Sequence, residues 1–487
     1  MNSISEITKK ASIAFEQYAF TTALQRANFL ETIASNIEAL GDTLLDQAHK
    51  ETNLPLVRLQ GERARTCFQL RMFATMLKEG HYVEASIDTA IPSKTPPKPD
   101  IRKMLHPIGP VVVFGASNFP FAYSTAGGDT ASALAVGCPV IVKAHPAHLA
   151  TSTLVADAIV QAAETTKMPK DIFQHITLTS FEIGKALVQD ENVYAVGFTG
   201  SRNGGRALLD YASARKNPIP VFAEMGSVNP VILLQEALEK NSESIAKNYA
   251  GSITLGMGQF CTNPGILVGV KSEALTNFSN ILATEMNAFA ATAMLHSGIE
   301  ESYLKNTNHA LSQKGVQCLT SKKPSADNNC AVLTTVDAAT FLSNPDLAEE
   351  VFGPYSILIQ CENVEELKKV WKNLKGQIST TIMGTDKDID AATDLLNMSL
   401  SIAGRIVING VPTGVEVCDS MVHGGPYPAS TDSRFTAVGV QAAKRWLRPI
   451  SFQNWPVHLL PAALQNHNPL GIWRNINGAL SKNEINA

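Results

Sequence analysis

The stretch IGPVVVFGASNFPFAYSTAGGDTASALAVGCPVIVK, residues 108–143, decides the fold class. Val111–Phe114 and Pro139–Lys143 are short apolar runs rich in β-branched residues, and the small-residue segment 122–136 between them reads as a helix. No charge precedes Asp129 in this stretch. A membrane span would have to satisfy the breaks at Pro110, Asn118, Pro120, Gly127 and Gly128 in lipid, so the run reads as protein interior. The alternation continues with a helix at 149–165, a strand at Tyr194–Phe198, a helix at 202–214 and a strand at Pro220–Glu224. Strands apolar on both faces and separated by helices predict an α/β fold with a doubly wound parallel sheet.

Working outward, residues 5–80 carry helical periodicity, clearest in Phe20, Leu24, Ala27, Leu30, Ile33, Ile37 and Leu40. Pro92, Pro96, Pro97 and Pro99 make 83–105 an extended ribbon. Residues 226–430 repeat the α/β texture, with helices near 242–256, 272–290 and 387–399. A β-like stretch, Trp446–Trp455, precedes a tail containing Pro461, Asn466 and Pro469.

Composition narrows the function. Only 17% of the 487 residues are charged, below the roughly 25% usual for globular chains, and 45% are hydrophobic, which excludes disorder. Lys+Arg 40 against Asp+Glu 44, with no basic run, argues against a nucleic-acid partner. The seven scattered cysteines form no Cys-x-x-Cys pair and suit reduced thiols in the cytoplasm. Met1–Phe15 lacks an apolar core of signal-peptide length, and no His, Cys and carboxylate spacing marks a metal site.

Four segments carry candidate chemistry. Cys261 lies in Gly256-Met-Gly-Gln-Phe-Cys-Thr-Asn-Pro-Gly, a glycine-punctuated loop at a helix end. Backbone N–H groups there would acidify a thiol and serve as oxyanion donors, whereas a structural cysteine would need no such setting. Glu224 ends an apolar strand before Met-Gly, where active sites of α/β sheets collect, although a lone Glu is more often a surface turn residue. Asn118, in Ser-Asn-Phe-Pro, is either a helix N-cap or an amide donor to an oxyanion. Gly197-Phe-Thr-Gly-Ser-Arg-Asn-Gly-Gly-Arg, with Gly197, Gly200 and Gly205, runs from strand to helix without matching either common phosphate-loop pattern. Its helix N-terminus remains a plausible anion site, and a close-packed turn is the plainer alternative.

In this order, and with Val-Lys-Ala (142–144) and Glu-Glu-Val-Phe-Gly-Pro (349–354), the segments resemble the aldehyde dehydrogenase superfamily over roughly residues 10–456. Phe114–Ser124, Lys143–His148 and His423-Gly-Gly-Pro-Tyr-Pro are most similar to 2,5-dioxovalerate dehydrogenases and NADP-preferring fatty aldehyde dehydrogenases. The resemblance implies Cys261 as nucleophile, Glu224 as general base with its pKa raised toward neutrality, and Asn118 as oxyanion donor. It implies Lys143 on the adenosine ribose, Ser201 at the pyrophosphate, Glu350 on the nicotinamide ribose and Phe352 beside the nicotinamide. It also implies a dinucleotide-binding domain (1–84 and 108–225), a catalytic domain (226–430), oligomerisation strands (85–107 and 440–456) and a C-terminal tail (457–487). The assembly would be a homodimer or homotetramer acting on a small-molecule aldehyde, with no membrane or nucleic-acid partner.

Pro146 stands where many NAD-dependent members carry a glutamate, which removes a carboxylate that would repel a 2′-phosphate. NADP is therefore expected over NAD, with Arg202 as the phosphate ligand and His145 and Arg206 as lesser candidates. The substrate's distal carboxylate would need a cation, and Arg58, Arg63, Arg65 and Arg71 share one probable helix. Arg58 and Arg65, seven apart, share a face. A fatty aldehyde substrate, a CoA-acylating enzyme and a catalytically silent binding protein are the competing readings. Retention of Glu224 opposes the second, and Cys261, Glu224 and Asn118 together oppose the third.

Overall fold

A computed structural model describes residues 3–325 and 329–485. Residues 1–2 of the first segment, 326–328 of the catalytic segment and 486–487 of the tail lie outside the described residues.

Strands Phe173–Ile176, Val140–Lys143, Val111–Phe114, Ala195–Thr199 and Val221–Glu224 form, in that spatial order, an all-parallel sheet. Numbered along the chain the order is 3-2-1-4-5. It therefore reverses between Val111–Phe114 and Ala195–Thr199, and the crevice at the carboxyl ends of these two strands is where such sheets bind ligands. Val111, Val112, Val140 and Ile141 are wholly buried, which explains apolar runs without alternation.

A second sheet follows the order Gln317–Cys318, Val332–Asp337, Tyr355–Cys361, Ile266–Val270, Val231–Leu233, Gln377–Met383, Ala403–Ile408, parallel except at its first strand. A third, smaller sheet pairs Leu447–Gln453 antiparallel with Ile101–Pro107, then adds Ser86–Asp88, Arg474–Ile476 and Ala479–Ser481. No helix among the described residues is long and apolar enough to cross a membrane.

Three elements differ from the sequence expectation. The helix placed at 122–136 begins at Gly128, because Phe119–Gly127 winds through tight turns. The Gly127 N–H donates to Ser124 at 2.9 Å and the Gly128 N–H to Ala122 at 3.1 Å, and a Cβ on Gly127 would strike the Ala122 carbonyl at 2.5 Å. Asn118 therefore sits in a bend ten residues upstream and caps no helix. The amphipathic helix starts at Ala23, capped by Thr22 and Gln25, which leaves Phe20 and Leu24 exposed rather than in the core. Finally, residues 457–485 pack on the third sheet and supply two of its strands, Arg474–Ile476 and Ala479–Ser481. Leu460, Ala463, Leu464 and Ile472 pack on Val83, Ala85 and Ile87, and the buried Arg474 donates to the carbonyls of Gln465 and Asn483.

Candidate active site

The helix Gln235–Thr254 ends in a turn where Gly256, Met257 and Gly258 all have positive φ (53°, 60° and 65°). The middle residue is not glycine, so this backbone is strained, and it is held by burial of Met257. Gly258 abuts Gly353 so closely that a Cβ would overlap its carbonyl. Cys261 follows. The Asn229 amide donates to the carbonyls of Cys261 (2.8 Å) and Asn263 (3.0 Å), and the Asn263 amide to Gly353 (3.1 Å). The Cys261 loop is thus fixed to the Glu349–Pro354 segment before any ligand arrives.

Glu224 ends its strand, buried, and bridges to Ser430 across the segment that begins at His423. His423, 1% exposed, places Nε2 3.0 Å from Glu224 Oε1 and 3.5 Å from Cys261 Sγ. Among the described residues these three form the one His, Cys and carboxylate group whose donor atoms all lie within 4.8 Å of one another. Sequence reasoning quoted His423 only as a mark of likeness and gave it no place in the site. Asn118, also buried, donates from Nδ2 to the Gln259 carbonyl at 3.1 Å, on the loop that carries Cys261.

Electrostatics oppose a resting thiolate. Burial, then Glu224 and Glu350, push the Cys261 thiol well above its ordinary range, and Arg65 opposes them. Glu224 corrects the expectation of a raised pKa. Burial pushes its carboxyl up, but His423, the Cys261 thiol and Arg445 together outweigh burial and hold it below the usual carboxylate range. Glu350 is the raised carboxyl instead, pushed to about 7 by burial, with Ser227 N–H its 3.4 Å donor.

The four arginines of the helix Leu56–Glu79 separate by face. Arg71 pairs with Glu38 at the surface and Arg63 donates to the Gly41 carbonyl, neither near Cys261. Arg58 and Arg65 point to the site. Arg58 donates to the Asn118 carbonyl (2.7 Å) and lies between the rings of Phe119 and Phe260, while Arg65 donates to the Val415 carbonyl (2.7 Å) beside Tyr123. Arg405, which the sequence reading missed inside an apolar strand, donates to the carbonyls of Pro412 and Gly414 and feels the Cys261 charge. Among the described residues none of Arg58, Arg65 and Arg405 has a carboxylate within ion-pair distance.

The residues expected at a cofactor fall on the first sheet with its connecting turns and on the Glu349–Pro354 segment. Lys143 ends its strand, nearly buried and without a hydrogen-bond partner among the described residues; burial alone lowers its pKa. Pro146 opens the turn Pro146–His148 that follows. Gly197 packs on Asp129, Gly200 on the Phe198 ring and Gly205 on Met225, each too closely for a side chain. Ser201 Oγ caps the helix Arg202–Ser213 by accepting from Gly204 N–H. A Cβ on Gly226 would overlap the Glu350 carboxylate, and Glu350 and Phe352 line a narrow cleft with Phe260 and Asn263. Two expected phosphate ligands are otherwise engaged: Arg202 pairs with Glu349 at 3.2 Å and Arg206 with Asp210 at 3.0 Å. His145 is no cation, since burial and the neighbouring His148, His296 and Lys143 lower it to about 3. Lys143 ends the strand beside the switch point with an unpartnered ammonium, and the helix Arg202–Ser213 begins just after the strand on the switch point's far side; both features suit an anionic dinucleotide.

Residues 2–435 match the model of the aldehyde dehydrogenase family. The chain belongs to that family. This aldehyde dehydrogenase is 47% identical over 465 residues to alpha-ketoglutaric semialdehyde dehydrogenase 2 of Azospirillum brasilense, covering 95% of this chain and 88% of that protein. It is 45% identical to the alpha-ketoglutaric semialdehyde dehydrogenase of Acinetobacter baylyi, covering 99% and 92%. Among solved structures, aldehyde dehydrogenase 21 of Physcomitrella patens in complex with the reaction product succinate superposes with a TM-score of 0.78 at 19% identity, covering 94% of this chain and 91% of that one. That last likeness is one of fold. Enzymes of this family use NAD(P), and aldehyde oxidation is accordingly the activity of this oxidoreductase.

Proposed function

We propose that this enzyme oxidises 2,5-dioxovalerate to 2-oxoglutarate with NADP preferred over NAD, in the cytoplasm, as a homodimer or homotetramer. One observation carries the substrate reading: three guanidinium groups with no carboxylate in ion-pair contact converge on the segments around Cys261, and Glu62, the buried carboxyl whose charge Arg58 and Arg65 would feel, has its pKa raised by burial. Half-buried cations call for an anionic counterpart, and the substrate's distal carboxylate is one. A fatty aldehyde needs an apolar funnel and no cation. The two semialdehyde dehydrogenase relatives support the same choice.

Cys261 Sγ attacks the aldehyde carbon and forms a thiohemiacetal. For this the Asn118 amide leaves Gln259 and, with the Cys261 N–H, donates to the oxyanion. Lys143 and Glu350 would hold the riboses of a bound dinucleotide, Ser201 and the glycine turn would take its pyrophosphate, and Phe352 would stand beside its nicotinamide. The cofactor, when bound, supplies the two-electron acceptor. Glu224 takes a proton from the water that attacks the resulting thioester, and the carboxylate product leaves with Cys261 restored. Pro146 leaves room for a 2′-phosphate; Arg202 reaches it only by leaving Glu349.

The test is stoichiometry by mass spectrometry without CoA. One 2-oxoglutarate per reduced cofactor supports the reading. Product that appears only with CoA, or none from dioxovalerate, overturns it.

A further inference from the structure

The contact between Cys261 and His423 belongs to neither the nucleophile nor the base as described above. Nε2 of His423 faces two acceptors, Glu224 Oε1 at 3.0 Å and Cys261 Sγ at 3.5 Å, while its Nδ1 has no partner. An imidazole nitrogen has a single in-plane direction, so it serves one of these neighbours at a time. With the proton on Nε2, the N–H donates to the carboxylate and the unpartnered Nδ1 is merely an unused acceptor. The opposite tautomer would bury a donor without an acceptor and set a lone pair against Glu224, which costs more.

We propose that His423 is a catalytic residue whose Nε2–H hydrogen bond switches from Glu224 Oε1 to Cys261 Sγ as the thiol gives its proton to Glu224. In this step the S–H bond breaks and an O–H bond forms on Glu224; the Nε2–H bond stays intact throughout. The N–H that held the carboxylate now stabilises the thiolate, which then forms the C–S bond to the aldehyde. Glu224 passes its proton to solvent and is a base again for the hydrolytic water. The switch supplies what the surroundings withhold, since Glu224 and Glu350 both disfavour negative charge on sulfur. Other charged and titratable groups face the pair from every side: Tyr123, whose ring centroid is 6.1 Å from that of His423, Arg65 and Arg405 near Cys261, and Arg445, tied to Asp129 at 2.7 Å. None of them stands within hydrogen-bond distance of Sγ among the described residues, and His423 does.

This inference rests on Cys261 as nucleophile and not on the identity of the substrate. Its test is the rate of Cys261 alkylation by iodoacetamide against pH, located by peptide mass spectrometry, in wild type, His423→Phe, His423→Leu and His423→Gln. NADP binding by fluorescence serves as the folding control. Both donorless variants should alkylate on the order of 10- to 100-fold more slowly at pH 7.5, the size of a hydrogen bond to a charged group, with the profile moved alkaline by one to two units. Glutamine keeps an N–H and should recover most of the rate. An unchanged rate in a donorless variant that binds NADP overturns the proposal. So does a glutamine variant as slow as His423→Phe, which would make His423 a base rather than a donor. If both donorless variants fail to bind NADP, glutamine alone decides, a wild-type rate supporting the donor and a lost rate overturning it. Failure of wild type to oxidise dioxovalerate would sink the substrate reading and leave this pattern intact.

Discussion

Asn118 Nδ2 donates to the carbonyl of Gln259 at 3.1 Å, so the amide proposed to serve the oxyanion rests on the loop that carries Cys261 two residues further on. The amide is placed before substrate binds, and a bound aldehyde oxygen has to displace only one neutral hydrogen bond. Asn118→Ala should lower kcat roughly 10²- to 10³-fold, the usual cost of one oxyanion donor, with little change in the alkylation rate of Cys261. Steady-state rates and iodoacetamide labelling on the same preparation check this. A parallel loss of labelling would mean that Asn118 holds the loop rather than the oxyanion.

Glu350 makes the stability of the cofactor-free enzyme depend on pH in a direction unusual for a carboxylate. Its folded pKa, about 7, lies above the ordinary 4.5. Between those values the unfolded chain has released a proton that the folded chain keeps, so stability falls as pH rises from about 4.5 to about 7 and is flat beyond. Glu350→Gln should leave the unfolding midpoint unchanged at pH 4.5 and raise it relative to wild type at pH 8. Thermal unfolding of the two proteins across that range provides the comparison.

Pro146 follows Lys143 by three residues, at the turn beyond the strand end. If NADP binds as proposed, Pro146→Glu sets a carboxylate against its 2′-phosphate, and kcat/KM for NADP relative to NAD should drop at least about tenfold, corresponding to roughly 1.4 kcal/mol. Arg202→Ala should shift the same ratio less, because Arg202 must first give up Glu349.

Leu464 is fully buried in the small core beneath the third sheet. Leu464→Ala should destabilise the protein by about 2–4 kcal/mol, the range for a buried leucine, and lower the midpoint of thermal unfolding. An unchanged midpoint would show that residues 457–485 are dispensable for stability.

What could be read from the sequence follows the range of the interactions. Cys261, Glu224 and Asn118 announce themselves through neighbours within a few residues: glycines, a proline, the end of an apolar run. The seven-residue spacing of Arg58 and Arg65 put both on the site-facing side, and the same helix geometry sends Arg63 and Arg71 elsewhere. His423 has only a Gly-Gly beside it, and its meaning arises from meeting residues 199 and 162 positions away. For the same reason the depressed Glu224 carboxyl, the Arg202–Glu349 pair and Arg405 could not be anticipated, since each depends on a partner or neighbour supplied by distant chain. The C-terminal hairpin is a different case. Asn477-Gly478, both at positive φ, is a strong two-residue turn signal between Arg474–Ile476 and Ala479–Ser481, but strands of three residues leave no periodicity to support it.

The central claim is that Arg65 and its neighbours select an aldehyde bearing a distal carboxylate. The most direct measurement is kcat/KM for 2,5-dioxovalerate and for hexanal, in wild type and in Arg65→Met. Wild type should prefer dioxovalerate. The variant should lose roughly 10- to 100-fold on dioxovalerate, mostly through KM, and much less on hexanal, where only the help that Arg65 gives the Cys261 thiol is removed. Preference of wild type for hexanal, or an equal loss on both substrates in the variant, would contradict the account.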